Sequence, residues 1–231
     1  MKNIVVMTGA GMSAESGLKT FRDDNGLWEG HDVMAVASIE GWYKDPELVL
    51  AFYNQRRAQL LTVEPNAGHK AVAQLEKAFE VKVITQNVDD LHERAGSTQV
   101  IHLHGELLKA CSVVQKAHVH ECRTSINLGD TGVDGEQIRP FIVWFGEDVP
   151  LLPEAAFEVS QADIILIIGT SMQVYPAASL VEYAKSDCQI YYIDPNPQIN
   201  YALAQSNQLK VIDKSAGEAL PALIEALLTQ A

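Results

Sequence analysis

Cysteines, basic residues and long apolar runs are all scarce in this chain of 231 residues. Its three cysteines are too few for a disulfide scaffold. Only 17 lysines and arginines stand against 30 aspartates and glutamates, and the resulting net charge of −13 argues against non-specific binding to nucleic acids or anionic membranes. The same negative charge favours basic segments of proteins as binding partners. No apolar run reaches transmembrane length, and the first is too short for a signal peptide, so we expect a cytoplasmic protein.

Short β-rich apolar runs alternate with helical patterns along the chain. Continuous apolar runs are typical of buried parallel strands, so the pattern predicts an α/β fold with a doubly wound, Rossmann-like parallel sheet. The strands are predicted at 4–7, 81–84, 100–103, 164–168, 190–193 and 209–212, and the helices at 46–61, 67–79, 177–185 and 218–228.

Two segments interrupt this alternation, a helical one at 28–63 and a polar, irregular one at 107–139. We interpret both as insertions that form a second, smaller lobe of a single domain. The Rossmann-like lobe is then built from 1–27, 64–106 and 140–231. A ligand crevice is expected between the lobes, at the carboxyl ends of the strands.

A glycine-rich turn follows the first predicted strand. Gly9, Gly11 and Ala14 fit the dinucleotide pattern G-x-G-x-x-G/A, in which a helix start offers free N–H groups to a pyrophosphate. A tight strand-to-helix turn without a ligand has the same spacing. A nicotinamide dehydrogenase would continue into a second strand, but 20–31 has the composition of a loop, so we expect dinucleotide binding without hydride transfer.

Polar side chains follow the next strands. Gln86, Asn87 and Asp89 could fix a ribose and a carboxamide, although an Asx turn with a helix cap explains them equally well. Alternation along a strand would place His102 and His104 on one face, where a two-histidine metal site is conceivable. No third ligand is apparent, so one working imidazole fits better.

Taken together, these motifs closely resemble the sirtuins, the NAD-dependent protein lysine deacylases, and most nearly their bacterial CobB and mitochondrial desuccinylase branch. The matching segments occur in family order and cover nearly the whole chain, at 9–13, 16–17, 21–22, 85–89, 102–105, 143–147 and 169–171.

The resemblance implies NAD as the cofactor and His104 as a general base on a ribose hydroxyl, with Asn87 and Asp89 as further catalytic residues. The products would be nicotinamide, free lysine and O-acyl-ADP-ribose. The cofactor-binding residues that it implies are Gly9, Ala10, Gly11, Ser13, Glu15, Thr20, Phe21, Arg22, Trp28, Gln86, Asn87, Val88, Asp89, Gly169, Thr170, Ser171, Asp194 and Ala216.

The resemblance also implies a substrate site for acylated lysines of proteins, carrying succinyl, malonyl or acetyl groups. Tyr53 and Arg56 match a Tyr-x-x-Arg pair that binds the distal carboxylate of the acyl group. The alternative is a core tyrosine and a solvated helix charge. The residues that the resemblance implies for main-chain pairing with the substrate peptide are Val143, Phe145, Gly146 and Glu147.

Two departures from the family pattern stand out. Sirtuins usually hold a structural zinc with four cysteines, whereas this chain has only Cys111 and Cys122 in that segment. His118 and His120 could complete a mixed zinc site, but we favour a degenerate lobe without metal. The second departure is Asp194, where relatives commonly have asparagine.

Two other functions stay open on the same scaffold. One is mono-ADP-ribosyl transfer to protein, and the other is NAD sensing without catalysis. The presence of His104 and of the Tyr53–Arg56 pair favours the deacylase.

Overall fold

A six-stranded parallel sheet forms the centre of the structure, a computed structural model that describes residues 1–19, 27–28 and 30–230. In chain order, the strands are β1 (Asn3–Thr8), β2 (Leu27–Trp28), β3 (His31–Asp32), β4 (Glu80–Thr85), β5 (Val100–His102), β6 (Gly105–Ser112), β7 (Val119–Glu121), β8 (Ile138–Ile142), β9 (Ile164–Ile168), β10 (Gln189–Ile193) and β11 (Leu209–Ile212). The α-helices are α1 (Val33–Val36), α2 (Ile39–Lys44), α3 (Pro46–Leu60), α4 (Ala67–Gln74), α5 (Leu91–Ala95), α6 (Leu152–Gln161), α7 (Tyr201–Ala204) and α8 (Ala216–Thr229).

The parallel sheet has the strand order β11-β10-β9-β1-β4-β5 and is covered on both faces. Side chains alternate along β1, so Ile4 and Val6 enter the core beneath α4 and α8 while Val5 and Met7 enter the core beneath α6. The predicted doubly wound α/β fold is confirmed. Since β4 and β9 pair with β1 on opposite sides, the strand order reverses at β1, where α/β folds place their ligands.

A smaller lobe packs against this sheet and has its own core. It combines α1, α2 and α3 with the antiparallel sheet β7-β6-β8, and Phe52 and Tyr53 of α3 lie in the same buried cluster as Leu108 of β6. The expectation that 107–139 is irregular is wrong at both ends, because β6 and β8 run across those boundaries. Leu107, Leu108 and Ala110 are buried and give β6 an apolar face.

The glycine-rich turn also differs from the prediction, because no α-helix follows it. Two single-turn 3-10 helices, Ala10–Met12 and Ala14–Ser16, take its place. A Cβ on Gly11 would lie 2.7 Å from the Cα of Gly169, so this glycine serves close packing against the loop after β9. Its N–H donates to the carbonyl of Gly169 at 2.8 Å and is therefore not free for a phosphate.

In three further segments the structure differs in detail from the predicted loop and helices. The end of the expected loop at 20–31 forms the β2–β3 pair, while 20–26 and 29 lie outside the described residues. The helix predicted at 67–79 is α4 followed by a 3-10 turn, and 177–185 is a 3-10 helix, Ala177–Tyr183. Within the described ranges, none of the helices is both long and apolar enough to cross a membrane.

Candidate active site

A cavity of about 730 Å³ lies between the two lobes, where β1, β4, β9 and β10 end. Its volume is within the range of ligand sites in proteins. All the predicted site residues that the structure describes line it, namely Gly9, Ala10, Gly11, Ser13, Glu15, Trp28, Tyr53, Arg56, Gln86, Asn87, Val88, Asp89, His104, Val143, Phe145, Gly146, Glu147, Gly169, Thr170, Ser171, Asp194 and Ala216. Thr20, Phe21 and Arg22 lie outside the described residues.

His104 stands in the cavity just beyond β5, held by one hydrogen bond. Its Nδ1 lies 3.0 Å from the carbonyl oxygen of Gln86, and because a carbonyl only accepts, Nδ1 carries the ring proton. The lone pair of Nε2 is then available to take a proton. Burial lowers the pKa of His104, so the ring is neutral at pH 7 and suited to act as a base.

Asn87 and Asp89 form a buried hydrogen-bonded group with Ser13 beside the histidine. The Ser13 hydroxyl donates to Asp89 Oδ2 at 2.9 Å, and Asn87 Nδ2 donates to Ser13 Oγ at 3.1 Å. Asp89 Oδ1 accepts the N–H of Leu91 at 3.2 Å, so the expected Asx turn is present beside the cavity. The expected helix cap is not, because the N-cap of α5 is Asp90 and its side chain makes no capping bond. Burial raises the pKa of Asp89 to about 6, because the charged form loses hydration.

His102 does not share the cavity with His104. Its Nε2 lies 2.7 Å from Glu93 Oε1 and its Nδ1 lies 3.1 Å from the carbonyl oxygen of Asn87. Burial alone would lower the pKa of His102, but the hydrogen bond and charge of Glu93 raise it above its usual value. The conceivable two-histidine metal site is therefore not formed, because β5 ends at His102 and strand alternation does not reach His104.

The predicted acyl end of the cavity is formed by α3, which begins at Pro46 behind the capping carboxylate of Asp45. Tyr53 is 1% exposed, and its hydroxyl accepts from Trp144 Nε1 at 3.0 Å. Arg56 is 9% exposed and donates from Nη2 to Gln59 Oε1 at 2.6 Å. Tyr53 is thus a core aromatic that also lines the cavity, and the alternative of a solvated Arg56 is wrong.

The other end of the cavity is bounded by α8 and by the loop after β10. The Glu15 carboxylate accepts from the N–H of Gly217 at 2.7 Å, in the first turn of α8. Asp194 is 2% exposed, and one of its oxygens accepts the N–H of Asn196 at 2.8 Å. A carboxylate and the hydroxyls of Thr170 and Ser171 border this end, which provides hydrogen-bond partners for sugar hydroxyls.

Several lining residues were missed by the sequence analysis. Trp144 was overlooked although it stands inside a matched motif, which is a signal that could have found it. The apolar residues Leu18, Leu60 and Leu107 come from separate segments, and only the fold brings them together. They add apolar surface to the lining of the cavity.

Comparison with known proteins decides the family. The model of the Sir2 family matches residues 9–176. An NAD-dependent protein deacylase of Helicobacter pylori is 57% identical over 231 residues, which is all of both chains. A solved Sir2 homolog in complex with NAD has a TM-score of 0.88 at 37% identity, covering 99% of this chain and 90% of its own. A Sir2 variant with a p53 peptide and NAD has a TM-score of 0.79 at 28% identity, covering 98% and 93%.

The chain belongs to the Sir2 family. The predicted recognition of a sirtuin is therefore confirmed, and the zinc that family members usually hold can be tested against the residues present here.

The described residues of this Sir2 protein do not bring together the donors of a zinc site. Among the residues that the structure describes, no group of three or more histidines, cysteines, aspartates or glutamates could hold a metal ion. His118 lies 3.7 Å from Asp134, and the thiol of Cys122 donates to the carbonyl of Thr124 at 3.5 Å. The expected alternation over 118–122 fails because β7 includes only Val119–Glu121.

Hydrogen bonds from α3 connect segments of the small lobe of this Sir2 protein. The Asn54 side chain both donates to the carbonyl of Ile126 at 2.8 Å and accepts its N–H at 2.9 Å. Arg57 is 1% exposed and donates to the carbonyl of Leu107 at 3.1 Å and to Asn54 Oδ1 at 2.9 Å. These bonds attach Leu107 of β6 and the loop at Ile126 to α3, the helix that carries Tyr53.

The segment 143–147 of this Sir2 protein is already engaged with its own chain. The N–H of Phe145 donates to the carbonyl of Ala37, and its carbonyl accepts from Ile39. The Glu147 carboxylate accepts two hydrogen bonds from Arg139 and one each from Lys116 and the N–H of Trp144. The Phe145 side chain, 41% exposed, stays open at the cavity rim.

Proposed function

We propose that this chain is an NAD-dependent protein lysine deacylase that removes succinyl, malonyl and acetyl groups. The observation that carries the proposal is that a neutral histidine, the Asn87–Asp89 group and a Tyr53–Arg56 pair line one cavity. The Helicobacter pylori relative bears the name NAD-dependent protein deacylase, and the solved relatives include complexes with NAD and with a p53 peptide.

The donors and acceptors of the cavity fit NAD. Asp194, Thr170 and Ser171 offer partners for ribose hydroxyls, and the amide of Asn87 matches a carboxamide. Glu15 and Ala216 would flank the adenosine end. When bound, NAD supplies the ribose carbon that accepts the acyl oxygen and the nicotinamide that leaves.

His104 carries the proton transfer in this proposal. Its Nδ1–H is fixed on the Gln86 carbonyl, so Nε2 is the nitrogen that would accept a proton from a ribose hydroxyl of bound NAD. Asn87 and Asp89 hold the neighbouring polar groups in place through Ser13. The apolar wall from Leu60 and Leu107 keeps water from the acyl group.

The Tyr53–Arg56 pair supports a preference for acyl groups that end in a carboxylate. A guanidinium and a phenol are both hydrogen-bond donors, and a nearly buried guanidinium gives a charge-assisted bond that an acetyl methyl group cannot receive. Succinyl- and malonyl-lysine should therefore be processed better than acetyl-lysine.

The products test the proposal. Purified protein, NAD and a peptide carrying one acyl-lysine are incubated, and the peptide mass and the nucleotide products are followed. Free lysine together with O-acyl-ADP-ribose supports the deacylase. ADP-ribose attached to protein would instead establish the transferase, and NAD binding without any product would establish the sensor.

A further inference from the structure

The hydroxyl of Tyr53 has one hydrogen-bonding capacity that its surroundings leave unused. The oxygen accepts the indole N–H of Trp144 at 3.0 Å. Within the described ranges, no acceptor lies within hydrogen-bond distance of the hydroxyl proton of Tyr53. Since the side chain is 1% exposed and lines the cavity, a ligand bound there can supply the acceptor that the described residues do not.

Trp144 is held in place by contacts of both its indole ring and its backbone. The guanidinium carbon of Arg139 lies 3.5 Å from the centre of the Trp144 ring, which is a close cation–π contact. Arg139 is fixed in turn by two hydrogen bonds to Glu147, which also accepts the backbone N–H of Trp144. Trp42 packs at 5.4 Å on the indole. The indole therefore has little freedom to turn its N–H away from Tyr53.

We propose that Trp144 is a positioning residue for acyl selectivity, which fixes the Tyr53 hydroxyl as a donor to the carboxylate of the acyl group. The inference rests on the proposed function. An indole N–H can only donate, so its bond occupies the acceptor side of the phenol and leaves the proton for the cavity. A carboxylate accepts a hydrogen bond from that hydroxyl, whereas the methyl group of acetyl-lysine cannot.

The state of Tyr53 supports this arrangement. Burial raises the pKa of the phenol far above its ordinary value, so the hydroxyl keeps its proton at every working pH. The Arg56 guanidinium, also donating from α3, then shares one carboxylate with the Tyr53 hydroxyl.

The substitution Trp144→Phe tests the proposal, since it removes the N–H and keeps an aromatic ring. The ratio of kcat/KM for succinyl-lysine to that for acetyl-lysine, on the same peptide, should fall by about tenfold, mainly through KM of the succinyl peptide. Activity on acetyl-lysine is the internal control for folding. Trp42→Phe is the matched control, because it keeps an aromatic ring against Trp144 and leaves the contacts of Trp144 with Arg139 and the Tyr53 hydroxyl intact, so its ratio should stay at the wild-type value.

A double-variant cycle with Tyr53→Phe decides between positioning and packing. If Trp144 acts through the hydroxyl, adding Trp144→Phe to Tyr53→Phe leaves the selectivity ratio unchanged. The proposal is overturned if Trp144→Phe lowers activity on both acyl groups equally, or if it lowers the ratio as much in the Tyr53→Phe background. Wild-type protein without deacylase activity, or without a preference for succinyl-lysine, would refute the proposed function itself.

Discussion

His104 combines a fixed tautomer with a lowered pKa, and both come from its place in the fold. Nδ1–H is bound to the Gln86 carbonyl at the end of β4, and burial disfavours the imidazolium. A residue in this state can take a proton at neutral pH without first having to lose one. Its role in the account is therefore specific to the chemical step.

The substitution His104→Ala should lower deacylation by about a hundredfold or more on every acyl peptide, because the general base is lost. NAD affinity, measured by calorimetry, should stay within about threefold of wild type, since a base acts on the reaction more than on binding. His118→Ala is the matched control, because His118 lies outside the cavity. Unchanged turnover in His104→Ala would remove His104 from the mechanism.

The buried carboxyl of Asp89, which lines the cavity, lowers the free energy of unfolding when it is ionised. Burial raises its pKa from 3.8 to about 6, so the folded state resists ionisation of this carboxyl, and the penalty appears as the pH rises from 3.8 through 6. At pH 7 the substitution Asp89→Asn should raise the free energy of unfolding by up to about 3 kcal/mol while lowering activity. Thermal unfolding at pH 4 and pH 7 measures it, with exposed Asp187→Asn as control. A loss of stability at pH 7 would show that the ionised Asp89 carboxylate does not destabilise the folded state.

Arg56 differs from its neighbour Arg57 although both are buried. Arg57 binds Leu107 and Asn54 and holds the small lobe, whereas Arg56 lines the cavity. The substitution Arg56→Met should lower kcat/KM for succinyl-lysine by about tenfold or more and change that for acetyl-lysine much less, because only the first ligand carries a charge. Arg123→Met, on the exposed surface, serves as control. Equal losses on both peptides would contradict the acyl-pocket assignment.

At the scale of elements, the small lobe depends on ionic and hydrogen-bonded contacts where a zinc site is usual in the family. Arg139 on β8 and Glu147 have side chains 3% and 6% exposed and form two hydrogen bonds at 2.8 and 2.9 Å. Lys116, from the loop before β7, adds a third contact to the carboxylate. This group connects the small antiparallel sheet to the segment that follows β8.

The substitution Glu147→Gln should reveal this contribution through pH. Burial alone would raise the pKa of Glu147, but hydrogen bonds from Arg139, Lys116 and Trp144 lower it from 4.5 to about 2. The wild type should be more stable than the variant by about 3 kcal/mol above pH 4.5, and the difference should shrink as the pH falls from 4.5 towards 2. Thermal unfolding across this range measures it, with the exposed Glu154→Gln as control. A difference that does not depend on pH would show that packing alone is responsible.

The elements also show what the sequence could and could not predict. The central strands were predicted within one or two residues, because parallel strands buried on both faces are continuously apolar. β6 and β8 were missed because a lobe with antiparallel strands mixes polar and apolar residues. The helix expected after Gly11 does not form, since the local spacing contains no information about the approach of Gly169. Trp144 and its bond to Tyr53, 91 residues apart, depend on tertiary structure.

At the scale of the whole molecule, the cavity exists because two different lobes meet at the reversal of strand order beside β1. The parallel sheet supplies the polar strand ends, and the small lobe supplies Tyr53, Arg56 and Trp144. In the proposed function, cofactor chemistry and acyl recognition would come from separate parts of the chain. Substitutions in α3 or in the segment after β8 should alter which acyl group is removed without altering the reaction.

A competition assay tests the central claim most directly. Equal amounts of one peptide, carrying either succinyl- or acetyl-lysine, are mixed with the protein and NAD, and both deacylated products and nicotinamide are quantified by mass spectrometry. One nicotinamide should appear for each lysine released, and the succinyl peptide should be consumed faster than the acetyl peptide. Deacylation of neither peptide, or removal of acetyl groups alone, would contradict it.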